Sequence, residues 1–359
     1  MTDLFTPLQA GAWALPNRIV MAPLTRTRAG VEHVPNALMA EYYAQRADAG
    51  LLIAEATMVA PDASAFTAEP GIFDADRAKA WRQVTDAVHA RGGRIVLQIW
   101  HPGRAAHSLL NGGVQPISST DRAIGNGQIH TPQGKQPYEA PRRLREDELP
   151  GIVGRFRAAS EFALQAGFDG VQIHGAHGYL VDQFLRDGAN DRNDGYGGTL
   201  EKRARLLLEV TDQAIAVWGA DRVSVRISPL VGVNDMSDRD PEALVIYVAQ
   251  QMASRKLAML EMRHADQALP EERALAEIAR SHFPGVILSN GGYDRDSANA
   301  AIAAGRVDAV AFGRAYIGNP DLVARLAAGA PLNEMNPRTL YSPGPEGYTD
   351  YPSLAAATA

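Results

Sequence analysis

Eight short apolar runs, rich in β-branched residues and each ending in a polar or glycine-bearing tip, recur along the chain. They are "RIVMAPLT", "LLIAEATMV", "RIVLQIWH", "GVQIHGAH", "RVSVRISP", "LAMLEMRH", "VILSNGG" and "AVAFGR". Such near-continuous apolarity suits parallel strands buried on both faces, whereas a half-exposed hairpin strand would alternate apolar and polar residues. Segments with helical period lie between the runs. In "DADRAKAWRQVTDAVHARGG", Trp81, Val84 and Val88 share a face, Asp74 is placed to cap the start, and Gly92 and Gly93 follow as a stop. "TLEKRARLLLEVTDQAIAVWG" repeats the design, with Thr199 as cap, Leu200, Leu207, Ala214 and Trp218 in the stripe, and Gly219 at the end. Strand-then-helix alternation repeated eight times is the count of a (β/α)8 barrel.

The 359 residues read as a single barrel domain over 1–359, since no linker rich in Ser, Gly or Pro divides them. Two departures from a plain barrel are expected. Residues 4–17, "LFTPLQAGAWALPN", precede the first core strand and suit a β-hairpin plugging the bottom. The connection after the third strand, 101–146, far exceeds the usual ~2–6 residues of a βα loop and suits a lid over the mouth.

Composition narrows the function. With 46% hydrophobic and 21% charged residues the chain has ample material for a large core. A net charge of −6 argues against general nucleic-acid or anionic-membrane binding, which calls for a basic face. The absence of Cys excludes disulfides, thiolate catalysis and Cys-ligated zinc or iron–sulfur centres. No apolar run approaches the ~18 residues of a membrane span, and the N-terminal residues lack a secretory pattern. A cytoplasmic enzyme, monomer or small homo-oligomer, is the resulting expectation.

In barrels of this kind chemistry sits at the C-terminal strand ends. Those tips carry Thr25, Ala56 with Thr57, Gln98 with Trp100 and His101, His174 with His177, Arg226, His264, Asn290 with Gly291 and Gly292, and Gly313 with Arg314. Glycine-rich tips on strands seven and eight, each followed by a helix, form an anion site to which Arg314 adds a charged donor, and phosphate is its usual guest. "VQIHGAHGYLVDQFL" places His174, His177 and Tyr179 within six positions. Metal ligation lacks a third ligand, because no His-Glu-x-x-His motif occurs and the one nearby carboxylate, Asp182, falls on the following segment. Histidines satisfied by loop backbone are a second reading. The third is donors to a substrate, with Tyr179 as a proton source.

These residues carry a resemblance. "LPNRIVMAPLTRTRA", "EATMV", "QIWHPGRAAH", "IHGAHGYLVDQFLRDGANDRNDGYGGTLEKRARLLLEV", "VRISP", "SNGGYDRDSANAAIAAGRVDAVAFGR" and "EGYTDYPS" are long, ordered and correctly spaced. The chain resembles the Old Yellow Enzyme family of FMN-dependent ene-reductases, in its bacterial branch of N-ethylmaleimide and pentaerythritol tetranitrate reductases. The resemblance implies a barrel with FMN across its mouth and NADPH or NADH as transient reductant. It assigns Pro23, Leu24 and Ala56 to the flavin ring, Thr25 to the carbonyl beside N5, Gln98 to the pyrimidine edge, and Arg226 to N1 and O2. Asn290, Gly291, Gly292, Gly313 and Arg314 match the phosphate site. His174 and His177 match the pair that binds the activating oxygen of the substrate, and Tyr179 the residue that protonates the α carbon. Phe66, Trp100 and Tyr341 are expected to line the substrate pocket. Phe66 stands where relatives often carry Tyr, and "EMRHADQ" has no Trp where relatives have one, which leaves that wall, and His264, without a role. The implied reaction is hydride transfer to activated alkenes (enones, enals, maleimides, nitroalkenes), with reduction of nitrate esters or nitroaromatics as an extension. The alternative is a flavin-holding or ligand-sensing barrel without turnover; a metal-dependent barrel hydrolase is a further rival.

Overall fold

In the computed structural model, which describes residues 2–354, all eight apolar runs are strands of one closed parallel barrel. In chain order the strands are β1 (Leu8–Ala10), β2 (Trp13–Leu15), β3 (Ile19–Met21), β4 (Leu51–Met58), β5 (Ile95–Trp100), β6 (Ile117–Ser118), β7 (Gln128–Thr131), β8 (Gly134–Pro137), β9 (Arg142–Arg143), β10 (Val171–Gly175), β11 (Val223–Ile227), β12 (Met259–Arg263), β13 (Val286–Asn290) and β14 (Ala309–Phe312). The barrel runs β3-β4-β5-β10-β11-β12-β13-β14 and closes on β3. The helices are α1 (Ala37–Ala44), α2 (Ala75–His89), α3 (Leu149–Gln165), α4 (Leu180–Leu185), α5 (Leu200–Trp218), α6 (Pro241–Ser254), α7 (Pro270–His282), α8 (Arg295–Ala303), α9 (Arg314–Gly318) and α10 (Leu322–Ala328). None of the described helices is long and apolar enough to cross a membrane.

Alternation along each strand separates an outer core from an inner one. Ile173, Val225, Leu260, Ile287 and Val310 face outward, packing with helix residues such as Leu207, Val248 and Ala298. Val20, Leu51, Ile53, Val96, Met259, Leu288 and Ala311 face inward and pack with Ala10, Trp13 and Leu15 of the β1–β2 hairpin. The hairpin therefore seals the lower end, and the Trp13 indole donates to the Asp169 carbonyl at 2.9 Å. Higher on the same inward faces the residues turn polar: Gln98, Gln172, Arg226, Glu261 and Asn290. An apolar floor beneath a polar upper layer puts the polar groups of the barrel interior at the mouth.

Helix ends follow the local chemistry. The Asp74 side chain accepts from the Arg77 amide at 2.9 Å, and Gly92 turns the chain at φ +75° after α2. At α5 the expectation is only half met. Thr199 stands at the cap position, but its hydroxyl bonds the Glu201 carboxyl instead of a backbone amide. A carboxylate in the first turn of a helix is favoured by the dipole, and Glu201 supplies one. Leu207, Ala214 and Trp218 are buried as the stripe requires, while Leu200 is half-buried at its edge. The 101–146 connection holds two small sheets, the β7–β8 hairpin and the parallel β6–β9 pair. From it, Ile129 and Tyr138 reach a cluster containing Met58, Trp100 and Tyr179.

Candidate active site at the barrel mouth

Two lobes share one opening at the strand ends. The smaller, ≈ 370 Å³, is lined by Thr25, Ala56, Phe66, Gln98, His174, Tyr179 and Tyr341, among others. The larger, ≈ 890 Å³, is lined by Asn290, Gly291, Gly292, Gly313 and Arg263. Pro23, Leu24, His177, Arg226 and Arg314 border both. Every residue that the resemblance assigns to cofactor or substrate is thus gathered around one opening except Trp100, which is buried behind it. Its ring stands edge-on to Tyr179 at 5.1 Å between centroids and 6.3 Å from Phe66, so it backs the wall.

The histidine pair owes its aim to the turn after β10. His177 adopts φ +57° and Gly178 φ +71°, and a Cβ on Gly178 would meet Met236 Cγ at 2.5 Å. The tight turn brings the two imidazoles to 5.6 Å between centroids. The His177 amide donates to Ser228 Oγ at 2.8 Å, and its carbonyl accepts from Asn234 at 2.8 Å, which holds the turn in place. Burial, followed by the nearby Arg226 guanidinium, pushes both imidazoles well below the usual histidine value. They are therefore neutral. The Ala176 amide donates to His174 Nδ1 at 3.3 Å, which leaves the proton on Nε2 as a donor. Tyr179 lies 5.0 Å from His174, ring edge to face, and burial raises its phenol well above the usual value, so it carries its proton at neutral pH. Asp182 accepts from the Gly178 amide at 2.8 Å and faces Arg186 at 3.8 Å, a structural role. Among the described residues no group of three or more His, Cys, Asp or Glu could hold a metal ion.

A buried polar chain floors the site. Gln98 Nε2 donates to Gln172 Oε1 at 2.7 Å, and Gln172 Nε2 donates to Glu261 Oε2 at 2.8 Å. Glu261 Oε1 lies 2.9 Å from Arg226 Nε, and Arg226 Nη2 donates to Asn290 Oδ1 at 2.9 Å. Asn290 Nδ2 finally donates to the Ala311 carbonyl at 2.7 Å. Six strand-borne groups are connected in one run.

The larger lobe has the chemistry of an anion cradle. Gly291 adopts φ +145°, and a Cβ there would strike the His264 carbonyl oxygen at 2.5 Å, so only glycine brings this backbone to the opening. Arg314 and Arg263 both reach the lobe, and neither guanidinium forms a hydrogen bond or ion pair among the described residues. Arg263 Nη1 is buried without a partner. Desolvation, then Arg226, lowers its affinity for a proton, and Glu261 and Glu272 offset this only in part.

The rim is tied down by arginines. Arg26 donates to the carbonyls of Leu340 and Gly347 at 3.1 and 2.7 Å, and Arg28 to those of Leu340 and Thr339 at 2.9 Å each. This strap sets Tyr341 against Phe66, ring centroids 5.9 Å apart. Beneath it Glu55, pushed up to about 7 by burial, accepts from the Arg26 amide at 3.1 Å and steadies the tip that carries Thr25.

The sequence and the fold both match proteins of known family. Residues 3–333 match the model of the NADH:flavin oxidoreductase / NADH oxidase family. The chain belongs to this family. It is 43% identical to a probable flavin mononucleotide-dependent alkene reductase of Leishmania infantum, over 98% of this chain and 97% of that one. Among solved structures, morphinone reductase in complex with tetrahydroNAD aligns with a TM-score of 0.95 and 43% identity, covering 99% of this chain and 98% of that one. An old yellow enzyme homologue from Zymomonas mobilis aligns with a TM-score of 0.95 and 43% identity, over 98% and 100% respectively. Like the family as a whole, this oxidoreductase depends on FMN and a reduced nicotinamide.

The residues present fit that cofactor. Free guanidiniums and glycine backbone suit a phosphate, and the buried polar chain leaves one end of Gln98 open to a pyrimidine edge. Sequence reasoning missed Gln172, Glu261 and Arg263. At strand six it singled out His264, which lies outside the mouth: it is buried, 1% exposed, and its Nδ1 bonds Glu272 of α7 at 2.7 Å. The inward position belongs to Arg263, one residue earlier. His101 and Thr57 are likewise buried off the opening. The signal that would have found the missed residues is period two: Gln98 with Trp100, Gln172 with His174, and Glu261 with Arg263 each share a face.

Proposed function

We propose that this flavin oxidoreductase is an ene-reductase with one site for both half-reactions. Pro23, Leu24 and Ala56 would border the ring, Thr25 would serve its N5 edge, Gln98 its pyrimidine edge, and Arg226 its N1 and O2. Asn290, Gly291, Gly292, Gly313 and Arg314, joined by Arg263, would hold the phosphate. FMN held there would supply the redox chemistry, hydride transfer from NADPH or NADH to the β carbon of an activated alkene. The protein does the rest.

His174 and His177 grip the carbonyl, imide or nitro oxygen of the acceptor. As neutral donors they draw electron density from the alkene and stabilise the negative charge that develops on that oxygen, without a charged group that would bind it equally well beforehand. Tyr179 supplies the proton to the α carbon. Phe66 and Tyr341 exclude water from the acceptor lobe, and the 101–146 loop packs Tyr138 against the cluster that holds Trp100. Arg226 would stabilise negative charge on the reduced ring.

The observation that carries this reading is the triad of two neutral imidazoles and one protonated phenol facing a single lobe beside an anion cradle. Product analysis tests it. With FMN and NADPH, the protein is expected to saturate 2-cyclohexenone and N-ethylmaleimide and to leave unactivated cyclohexene untouched. NADPH oxidation with every activated alkene recovered intact would refute the assignment.

A further inference from the structure

The buried polar chain beneath the mouth has a direction, and one end determines it. A carboxylate only accepts hydrogen bonds, so Glu261 obliges Gln172 to present its amide nitrogen, at 2.8 Å. Gln172 Oε1 then faces Gln98 and accepts from its Nε2 at 2.7 Å. Gln98 is left with Oε1 and one N–H for the cavity. Amide orientation is ordinarily ambiguous; here an acceptor-only terminus decides it.

The other oxygen of Glu261 faces Arg226 Nε at 2.9 Å, with both side chains buried, 5% and 0% exposed. The two atoms are close but off the N–H line, so neither counts as hydrogen-bonded there. What the contact supplies is charge balance. The register places the two residues side by side on β11 and β12, and Glu261 itself does not line either lobe. Its carboxylate therefore sits behind the guanidinium as seen from the opening. A cation backed by an anion projects the field of a dipole, which is weaker than that of a lone charge and falls off faster.

We propose that Glu261 sets the reduction potential of the bound flavin, lowering it by cancelling part of the Arg226 charge, while holding the Gln98 carbonyl oxygen toward the pyrimidine edge. The inference rests on the flavin placement given under the proposed function. Glu261 acts through Arg226 and Gln172 and is a positioning residue. Its effect is to keep the reduced flavin a strong hydride donor, where an unopposed arginine would make it easier to reduce and slower to reoxidise.

The test is the two-electron midpoint potential of the FMN-loaded wild type, E261Q, E261D and Q172M, measured anaerobically against a reference dye. E261Q is expected to favour the reduced form at least tenfold more than wild type, an upward shift of about 30 mV for a two-electron couple. E261D keeps the charge and is expected to stay nearer to wild type. Q172M breaks the link to Gln98 without changing charge and is expected to shift less than E261Q. A potential unchanged in E261Q, or an equal shift in E261D and E261Q, overturns the proposal. If E261Q does not hold flavin, E261N replaces it against E261D: asparagine above aspartate supports the charge effect, and equal potentials overturn it. Failure of the wild type itself to bind FMN overturns the flavin placement, and this inference with it. That outcome is distinguishable because every protein in the series would then be colourless.

Discussion

Replacing Tyr179 with Phe removes one oxygen atom and leaves the ring. The ring's contacts with His174 and Trp100, at 5.0 and 5.1 Å, survive the change. The hydroxyl makes no hydrogen bond with another described residue, so folding stability should move by no more than about 0.5 kcal/mol. The chemical cost is larger. Burial holds the phenol in its protonated form, which makes it a donor at neutral pH, and a positioned general acid contributes about 10²–10⁴ in rate. That range corresponds to about 2.7–5.4 kcal/mol of barrier. The loss should fall on one half-reaction only. Stopped-flow mixing of pre-reduced enzyme with 2-cyclohexenone should show flavin reoxidation slowed by that factor, while reduction by NADPH proceeds as in wild type. Reoxidation at the wild-type rate across several enones would refute the role of Tyr179, and an equal slowing of both half-reactions would mean that the substitution had disturbed the flavin instead.

Substituting Ala at both His174 and His177 should weaken binding of phenolic ligands by at least about tenfold and abolish their long-wavelength charge-transfer band, since two charge-directed hydrogen bonds are lost; a band retained at full affinity would count against the clamp. Because both imidazoles are held well below the usual value, reoxidation by an enone should be flat between pH 6 and 8, and a limb centred near 6.5 would contradict their neutrality. R263M should raise the dissociation constant for FMN much more than for riboflavin, which lacks the phosphate, and equal effects on the two would remove Arg263 from the anion cradle. His101 is pushed down to about 3, chiefly by burial. It takes up a proton only on unfolding once the pH falls below 6.5, so its contribution is complete above that pH and declines as pH drops toward 3. The slope reaches about 1.4 kcal/mol per pH unit. Urea unfolding of H101Q between pH 4.5 and 6.5 should show a shallower pH dependence than wild type, and identical slopes would show that His101 is not the group involved.

The barrel was legible because strands buried on both faces must be apolar on both, and eight such runs leave few alternatives. The hairpin at 4–17 was legible for a related reason: a short apolar stretch ahead of a barrel has one open end to cover, and Trp13 covers it. What sequence could not supply was facing. "LAMLEMRH" contains Glu261, Arg263 and His264, and only the pleat decides that the first two look inward and the third toward Glu272. Gln172 and Glu261 were hidden inside runs read as simply apolar, because a lone polar residue in a strand carries no sign of its direction. Trp100 shares the inward face with Gln98, yet Tyr179 and Phe66 cover it, a matter of depth that periodicity does not encode. At Thr199 the cap position was evident, and the competing Glu201 carboxyl was two residues away in plain sight.

An anaerobic absorbance titration of the purified protein tests the central claim most directly. The account predicts a bound-flavin band that bleaches on addition of NADPH and returns when 2-cyclohexenone is added. A protein that stays colourless after reconstitution with FMN, or a bleached band that no activated alkene restores, would contradict it.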